Sequence, residues 1–65
     1  MTPAAARESA GLSQSEAARR IGCARYTLIR WERGMQTPSA TRLAQLAKVY
    51  GVPVEVLARH WSDDE

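Results

Sequence analysis

The sequence predicts an all-α fold, a compact bundle of five short helices. Ala, Arg, Leu and Glu are abundant among the 65 residues, and no segment shows the sustained apolar–polar alternation that is typical of a strand. Capping residues, prolines and glycines divide the chain into segments of helical length. Within these segments apolar residues recur three, four and seven positions apart, as they do on the buried face of a helix.

The first two helices have recognisable start and stop signals. Thr2 followed by Pro3 places a capping residue before a proline, which the first helical turn tolerates. Ser13 and Glu16 have the spacing of a capping box, so a second helix is expected directly after Ser13. Gly22 then stands where a residue in the left-handed conformation ends a helix.

Similar signals delimit the other three helices. Gly34 ends the third helix, and the residue before Pro38 disfavours helical backbone. Ser39 caps the fourth helix, Gly51 ends it, and Pro53 starts the fifth. The five helices are therefore expected at about residues 3–10, 14–21, 24–33, 40–50 and 53–60, followed by a frayed end.

The apolar residues at helical spacing predict one shared core. Ala17 and Ala18 are small, which allows helices 2 and 3 to cross closely. The predicted core residues are Leu12, Ala18, Ile21, Leu28, Trp31, Leu43, Leu46, Ala47, Tyr50, Val52, Val54 and Leu57.

The length of the chain indicates a single domain, expected over residues 1–62, with an acidic tail at residues 63–65. A core this small yields only ~3–5 kcal/mol of net stability unless a disulfide, a metal, an oligomer or very tight helix packing adds to it. Cys23 is the only cysteine and His60 the only histidine, so neither an internal disulfide nor a metal site is expected. No residue pattern calls for a cofactor.

Enzymes and membrane proteins are disfavoured. An enzyme needs a pocket with converging acids, bases or nucleophiles, and this chain is too short to enclose one, so no small-molecule substrate is expected. No apolar run approaches the ~20 residues of a membrane span. The first residues also lack the basic start and apolar stretch of a signal peptide. We therefore expect a cytoplasmic protein that does not act at a membrane.

Positive charge is concentrated in one part of the chain. Residues 1–62 contain nine Lys and Arg against four acidic residues, a net charge of +5. Five arginines lie between residues 19 and 33. Arginine binds phosphates and guanine edges with a planar, two-pronged geometry. This pattern favours a nucleic-acid partner, although a solvated helix face has a similar composition.

Several short motifs along the chain together indicate a family resemblance. They are Gly11-Leu12-Ser13-Gln14, Ile21-Gly22, Thr27-Leu28, Trp31-Glu32-Arg33-Gly34, Pro38-Ser39, Leu46-Ala47 and Gly51-Val52. In these motifs the chain resembles the lambda-repressor-like helix-turn-helix domain, also called the Cro/C1 or XRE family, over about residues 3–60. The resemblance implies a helix-turn-helix formed by helices 2 and 3, with helix 3 in the major groove of double-stranded DNA. It implies a transcriptional regulator, expected to be a repressor.

The exposed side of helix 3 supplies the candidate residues for contacts with base edges. Arg25, Tyr26, Ile29 and Arg30 share this side at helical spacing. Arg25 is expected to pair with a guanine, Tyr26 to bond a base edge or a phosphate, and Ile29 to press against a thymine methyl. The alternatives are a solvated pair of arginines, a partly packed tyrosine ring, and an isoleucine that is simply exposed or contacts the core.

Contacts with the DNA backbone are expected from a second group of residues. The resemblance implies that Gln14, at the start of helix 2, contacts a phosphate and braces helix 3. Arg33 follows Ile29 by four positions on the DNA-facing side of helix 3. Gln36, Thr37 and Ser39 surround the start of helix 4, where free N–H groups attract an anion. Ordinary turn and capping chemistry is the alternative for these three.

The resemblance also implies a structural ion pair. At some positions, however, the chain differs from the family pattern. Arg7 and Glu32 are expected to form a partly buried pair that ties helix 1 to the end of helix 3. Ala24 stands where the family often has a Ser or Thr cap, so the start of helix 3 is expected to fray in the absence of DNA. Cys23 is interpreted as a small apolar residue rather than a redox-active thiol.

A weak homodimer is expected, because one small domain makes few contacts with DNA. Two copies would bind half-sites of a palindromic operator ~34 Å apart. Val56, His60 and Trp61 are the candidate interface residues, with Trp61 as the anchor, unless Trp61 folds back on its own core. The other function considered is a protein-interaction module of the same fold, such as an antitoxin or an adaptor for the transcription machinery.

Overall fold

The computed structural model describes residues 1–61, which form five α-helices and no strand. The helices are α1 (Pro3–Ser9), α2 (Gln14–Ile21), α3 (Arg25–Glu32), α4 (Ala40–Tyr50) and α5 (Val54–Trp61). The predicted fold class is confirmed, and the bounds of α2 and α4 match the prediction at both ends. The predicted acidic tail at residues 63–65 lies outside the described residues.

The three predicted hydroxyl caps begin α1, α2 and α4. The Oγ1 atom of Thr2 accepts a hydrogen bond of 3.1 Å from a backbone N–H of α1. The Oγ atoms of Ser13 and Ser39 accept equivalent bonds of 3.1 and 3.2 Å. Gly22 and Gly51 end α2 and α4 in the left-handed conformation, with φ of 87° and 73°. The chain therefore encodes these boundaries locally.

Helix α5 differs slightly from its prediction. It begins at Val54 rather than at Pro53, whose carbonyl accepts a 3.1 Å hydrogen bond from the N–H of Val56. It also continues to Trp61, which was expected in the frayed end. The indole of Trp61 is half-buried against the core, and its Nε1–H donates a 3.0 Å hydrogen bond to the carbonyl of Trp31. This bond holds the last turn of α5 in place.

The core is built from all five helices. Leu28 and Leu46 are each 1% exposed and Leu57 is 0% exposed. Leu43 and Val52 are half-buried and pack against these residues. The buried apolar residues are Ala6, Leu12, Ala17, Ala18, Ile21, Leu28, Trp31, Leu46, Ala47, Tyr50 and Leu57.

Val54 was predicted to belong to the core, and that prediction is wrong, since 40% of its surface is exposed. It has the right spacing from Leu57, but it is the first residue of α5, at the margin of the bundle. Helical spacing gives the direction of a side chain, whereas burial also needs a neighbouring element to cover it.

Two buried polar atoms have no hydrogen-bond partner among the described residues, Nε1 of Trp31 and the hydroxyl of Tyr50. Burial raises the pKa of Tyr50 to about 12, so its side chain is neutral at physiological pH.

No helix within residues 1–61 is long and apolar enough to cross a membrane. In the same part of the chain, no three His, Cys, Asp or Glu side chains are grouped so that they could hold a metal ion.

Candidate nucleic-acid interface

A short turn that begins at Gly22 connects α2 to α3. The N–H groups of Gly22 and Cys23 both donate to the carbonyl of Ala18, at 2.8 and 3.0 Å. Gly22 has a φ of +87°, which a residue with a side chain adopts only with strain. A Cβ there would meet no atom closer than 4.0 Å, so the backbone conformation, and not lack of space, requires the glycine.

Helix α3 has a buried side and a solvent side. Leu28 and Trp31 are 1% and 3% exposed and hold the helix on the core. Arg25, Tyr26 and Arg30 are exposed on the other side, as the helical spacing predicts. Ile29 is half-buried, between the two sides, which leaves it only partly available for a DNA contact.

The start of α3 has no side-chain cap. Ala24 occupies the capping position with extended backbone angles, φ −70° and ψ 146°. These angles are the ones that a capping serine adopts, and those of Ser13 and Ser39 are similar. The capping position is thus ready for a hydroxyl group that the sequence does not provide.

Replacing Ala24 with serine is expected to stabilise the fold by about 1 kcal/mol, since a capping hydroxyl satisfies one free N–H of the first turn. Urea denaturation of both proteins measures the difference. Ala44→Ser, at an exposed position inside α4, is the control and should be neutral or slightly destabilising. Equal effects of the two serines would contradict the prediction.

The side chains of the arginines differ in their partners. Arg7 pairs with Glu32, Arg19 and Arg20 pair with Glu16, and Arg42 donates to a backbone carbonyl. Within residues 1–61, the guanidinium groups of Arg25, Arg30 and Arg33 donate to no protein acceptor. The same holds for Arg59 on α5, so three of the four arginines without an acceptor in this part of the chain lie on the solvent side of α3 or at its C-terminal end.

Arg30 and Tyr26 form a contact on that side. The Cζ atom of Arg30 lies over the Tyr26 ring, 4.7 Å from the ring centroid, within the range of a cation–π interaction. The tyrosine is nevertheless 64% exposed. The ring therefore packs against a charged neighbour on the solvent side and not against the core, contrary to the packed-ring alternative.

A buried network holds the other end of α3. The Nε atom of Arg7 lies 2.7 Å from a carboxylate oxygen of Glu32, and the two side chains are only 9% and 8% exposed. Arg7 also donates to the carbonyl of Leu12 at 2.9 Å, and the amide of Gln14 donates to Glu32 at 3.1 Å. The hydrogen bond to Glu32 raises the pKa of Arg7 against the opposing effect of burial. Glu32 thus links α3 to both α1 and α2.

Gln14 therefore has the bracing contact that the resemblance implies. Its Nε2 group is directed to Glu32, 18 positions further along the chain. A phosphate contact by Gln14 would use the remaining polar groups of its amide or the N–H groups at the start of α2.

An open groove lies where α3 and α4 begin. It has a volume of about 490 Å³. Gln36, Thr37 and Ser39, three of the predicted phosphate-binding residues, line it together, whereas Gln14 and Arg33 do not. The full lining is Cys23, Ala24, Thr27, Trp31, Gln36, Thr37, Pro38, Ser39 and Arg42.

Thr27 and Arg42 were not among the predicted site residues. The Nη1 group of Arg42 donates to the carbonyl of Ile21 at 2.9 Å and to the side chain of Gln45 at 3.1 Å. It thereby satisfies a free carbonyl at the end of α2 and places positive charge at the negative end of that helix. No local pattern indicates this contact, since the two residues are 21 positions apart.

Cys23 behaves as the sequence predicts for a small apolar residue. It is half-buried and packs against the core. Burial raises the pKa of its thiol, and the nearby positive charge of Arg42 opposes the shift only in part. The thiol therefore stays protonated at neutral pH, unlike a reactive cysteine.

The three candidate dimer residues on α5 differ in exposure. His60 is exposed, while Val56 and Trp61 are half-buried. The His60 ring stands edge-on to the Trp61 ring, with centroids 5.0 Å apart. The Trp61 indole also bonds to the carbonyl of Trp31. Trp61 therefore folds back on the core of its own chain, which was the alternative to a role as dimer anchor.

Comparison with known proteins agrees with this geometry. A family model described as helix-turn-helix matches residues 4–57. The chain is also similar to the cryptic phage CTXphi transcriptional repressor RstR of Vibrio cholerae, with 41% identity over 54 residues. The similarity covers 83% of this chain but only 46% of the relative, so the chain spans about half the length of that protein.

Proposed function

Because the chain belongs to the helix-turn-helix family of the Cro/C1 type, we propose that it binds a specific double-stranded DNA sequence and represses transcription. In this proposal α3 enters the major groove and its first turns contact base edges. The observation that carries the proposal is the solvent side of α3. Within residues 1–61 its arginines have no protein acceptor, while the arginines of α1, α2 and α4 are engaged and α5 contributes only Arg59 without an acceptor.

The base contacts are assigned to Arg25, Tyr26, Ile29 and Arg30. Arg25 is the first residue of α3 and is exposed, which suits a bidentate contact with O6 and N7 of a guanine. Ile29 is half-buried, so its exposed part suits an apolar contact such as a thymine methyl.

The phosphate contacts are assigned to Gln14, Arg33, Gln36, Thr37 and Ser39. The last three line the groove at the start of α4, where backbone N–H groups attract an anion. Such contacts fix the position of a protein on the duplex without selecting a sequence.

Repression is inferred from the name of the phage relative, which is a transcriptional repressor. A palindromic operator and a weak homodimer through Val56, His60 and Trp61 complete the proposal, together with a cytoplasmic site of action. His60 is the exposed residue of that surface, whereas Val56 and Trp61 are half-buried. The proposed role is one of binding, with no catalytic step.

The test is a selection of bound sequences from a random duplex library. The wild-type protein is expected to select a palindromic motif, and Arg25→Ala to lose the preference for one guanine, about 1–3 kcal/mol of discrimination. Arg59→Ala, which removes an exposed arginine from α5, is the control and should select the wild-type motif. Weak, salt-sensitive binding without any motif would contradict the proposal and point to a protein partner.

A further inference from the structure

We propose that Tyr26 and Arg30 act as one unit that recognises a guanine. Arg30 donates to the base, and Tyr26 is a positioning residue that holds the guanidinium in place. The inference rests on the proposed function, since it concerns the same DNA-binding side of α3. It refines the base contact assigned to Tyr26 above, because the ring then acts through Arg30 and not on a base of its own. The contribution of Tyr26 to binding therefore depends on Arg30.

The contact between the two side chains carries this inference. They are four positions apart on α3, the spacing at which side chains on a helix meet. The guanidinium carbon of Arg30 lies 4.7 Å from the centre of the Tyr26 ring. An exposed arginine samples many rotamers, and the ring restricts Arg30 to those that lie over it.

The exposure of the pair indicates a role outside the core. The tyrosine is 64% exposed, so it has little to do with the packing of α3. Among residues 1–61, the N–H groups of Arg30 have no protein acceptor, in contrast to those of Arg19 and Arg20, which Glu16 holds. A guanidinium has five N–H donors, and they are available here to an outside acceptor.

The chemistry of the available donors favours guanine. Guanine presents two acceptors in the major groove, N7 and O6, which match the planar fork of arginine. Adenine presents a donor in place of O6, which an arginine cannot accept. A cation–π contact attracts the guanidinium as a cation to the face of the ring and does not consume its N–H donors. The stack and the base contact are therefore compatible.

A double-mutant cycle on the selected operator tests the coupling. Arg30→Ala is expected to weaken binding roughly 5- to 150-fold, and to do so only when the recognised guanine is present. Tyr26→Ala is expected to lose roughly 2- to 5-fold at the same base pair. The double variant should bind no more weakly than Arg30→Ala, because Tyr26 has no effect once the guanidinium is absent.

Two further variants separate this mechanism from others. Tyr26→Phe keeps the ring and is expected to bind like the wild type. The cycle of Tyr26→Ala with Arg25→Ala is the control and should be additive, since neighbouring residues on a helix do not face each other. The salt dependence of binding should not change in Arg30→Ala, whereas loss of a phosphate contact lowers the slope by about 1.

Additive losses in the Tyr26 and Arg30 cycle would overturn the inference. So would an equal loss in Tyr26→Phe and Tyr26→Ala, which would assign the contact to the hydroxyl, or a lower salt slope in Arg30→Ala. These outcomes leave the proposed function intact, because the wild type still selects a sequence. A wild-type protein without sequence preference would overturn both.

Discussion

Replacing Glu32 with alanine is expected to destabilise the protein by about 3–5 kcal/mol. The substitution leaves the Arg7 guanidinium, on a side chain only 9% exposed, without its carboxylate partner. It also removes the acceptor for the amide of Gln14. A domain of this size has a net stability of only ~3–5 kcal/mol, so the variant should be largely unfolded at room temperature. Urea and thermal denaturation followed by circular dichroism measure the loss.

Controls distinguish a buried charge from a general effect of losing a carboxylate. Glu16→Ala removes an acid that pairs with Arg19 and Arg20, which are 75% and 56% exposed at their side chains, and should cost at most about 1 kcal/mol. Replacing Arg7 with methionine in the Glu32→Ala protein should restore part of the stability, because no unpaired charge is then buried. An unchanged melting temperature of Glu32→Ala would show that the pair does not hold α3.

Leu57→Ala is expected to cost about 2–5 kcal/mol, since truncation of a fully buried leucine loses apolar burial and leaves a cavity. Leu57 is the buried residue of α5 and is 0% exposed. Val54→Ala on the same helix is the matched control. With 40% of its surface exposed, Val54 should lose only about 0.5 kcal/mol when truncated.

Both variants are compared by their midpoints in urea at a constant denaturant slope. Equal losses at the two positions would mean that α5 is held by its whole apolar surface. A larger loss for Leu57→Ala would instead show that α5 is attached to the bundle mainly through Leu57. It would also agree with the burial of Leu57 and the exposure of Val54, which helical spacing had wrongly placed in the core.

The sequence was sufficient for most of the fold because its boundaries are local. Ser13 and Ser39 mark where helices begin, and Gly22 and Gly51 mark where they end, each through contacts within a few residues. The end of α5 was less well predicted, because Trp61 is held by the carbonyl of Trp31, 30 positions away. Such a contact depends on how helices pack, which periodicity does not specify.

In the candidate site, too, the local features were predicted from the sequence and the features that depend on helix packing were not. The solvent side of α3 followed from helical spacing, and the exposure of Arg25 and Arg30 agrees with it. The contribution of Thr27 and Arg42 to the groove was not predicted, since α4 has to lie beside the turn after α2 before Arg42 reaches Ile21. The spacing of Tyr26 and Arg30 was visible, but not the position of the guanidinium over the ring.

The hydrogen bond from Trp61 to Trp31 gives the protein an internal optical reporter. These are the two tryptophans of the chain, one in the core of α3 and one at the end of α5. Detachment of α5 would move the Trp61 indole into water and uncover that of Trp31, which is 3% exposed in the folded state. A shift of the intrinsic fluorescence to longer wavelength, with the helical circular dichroism largely kept, would therefore reveal a species in which α5 alone has left the bundle.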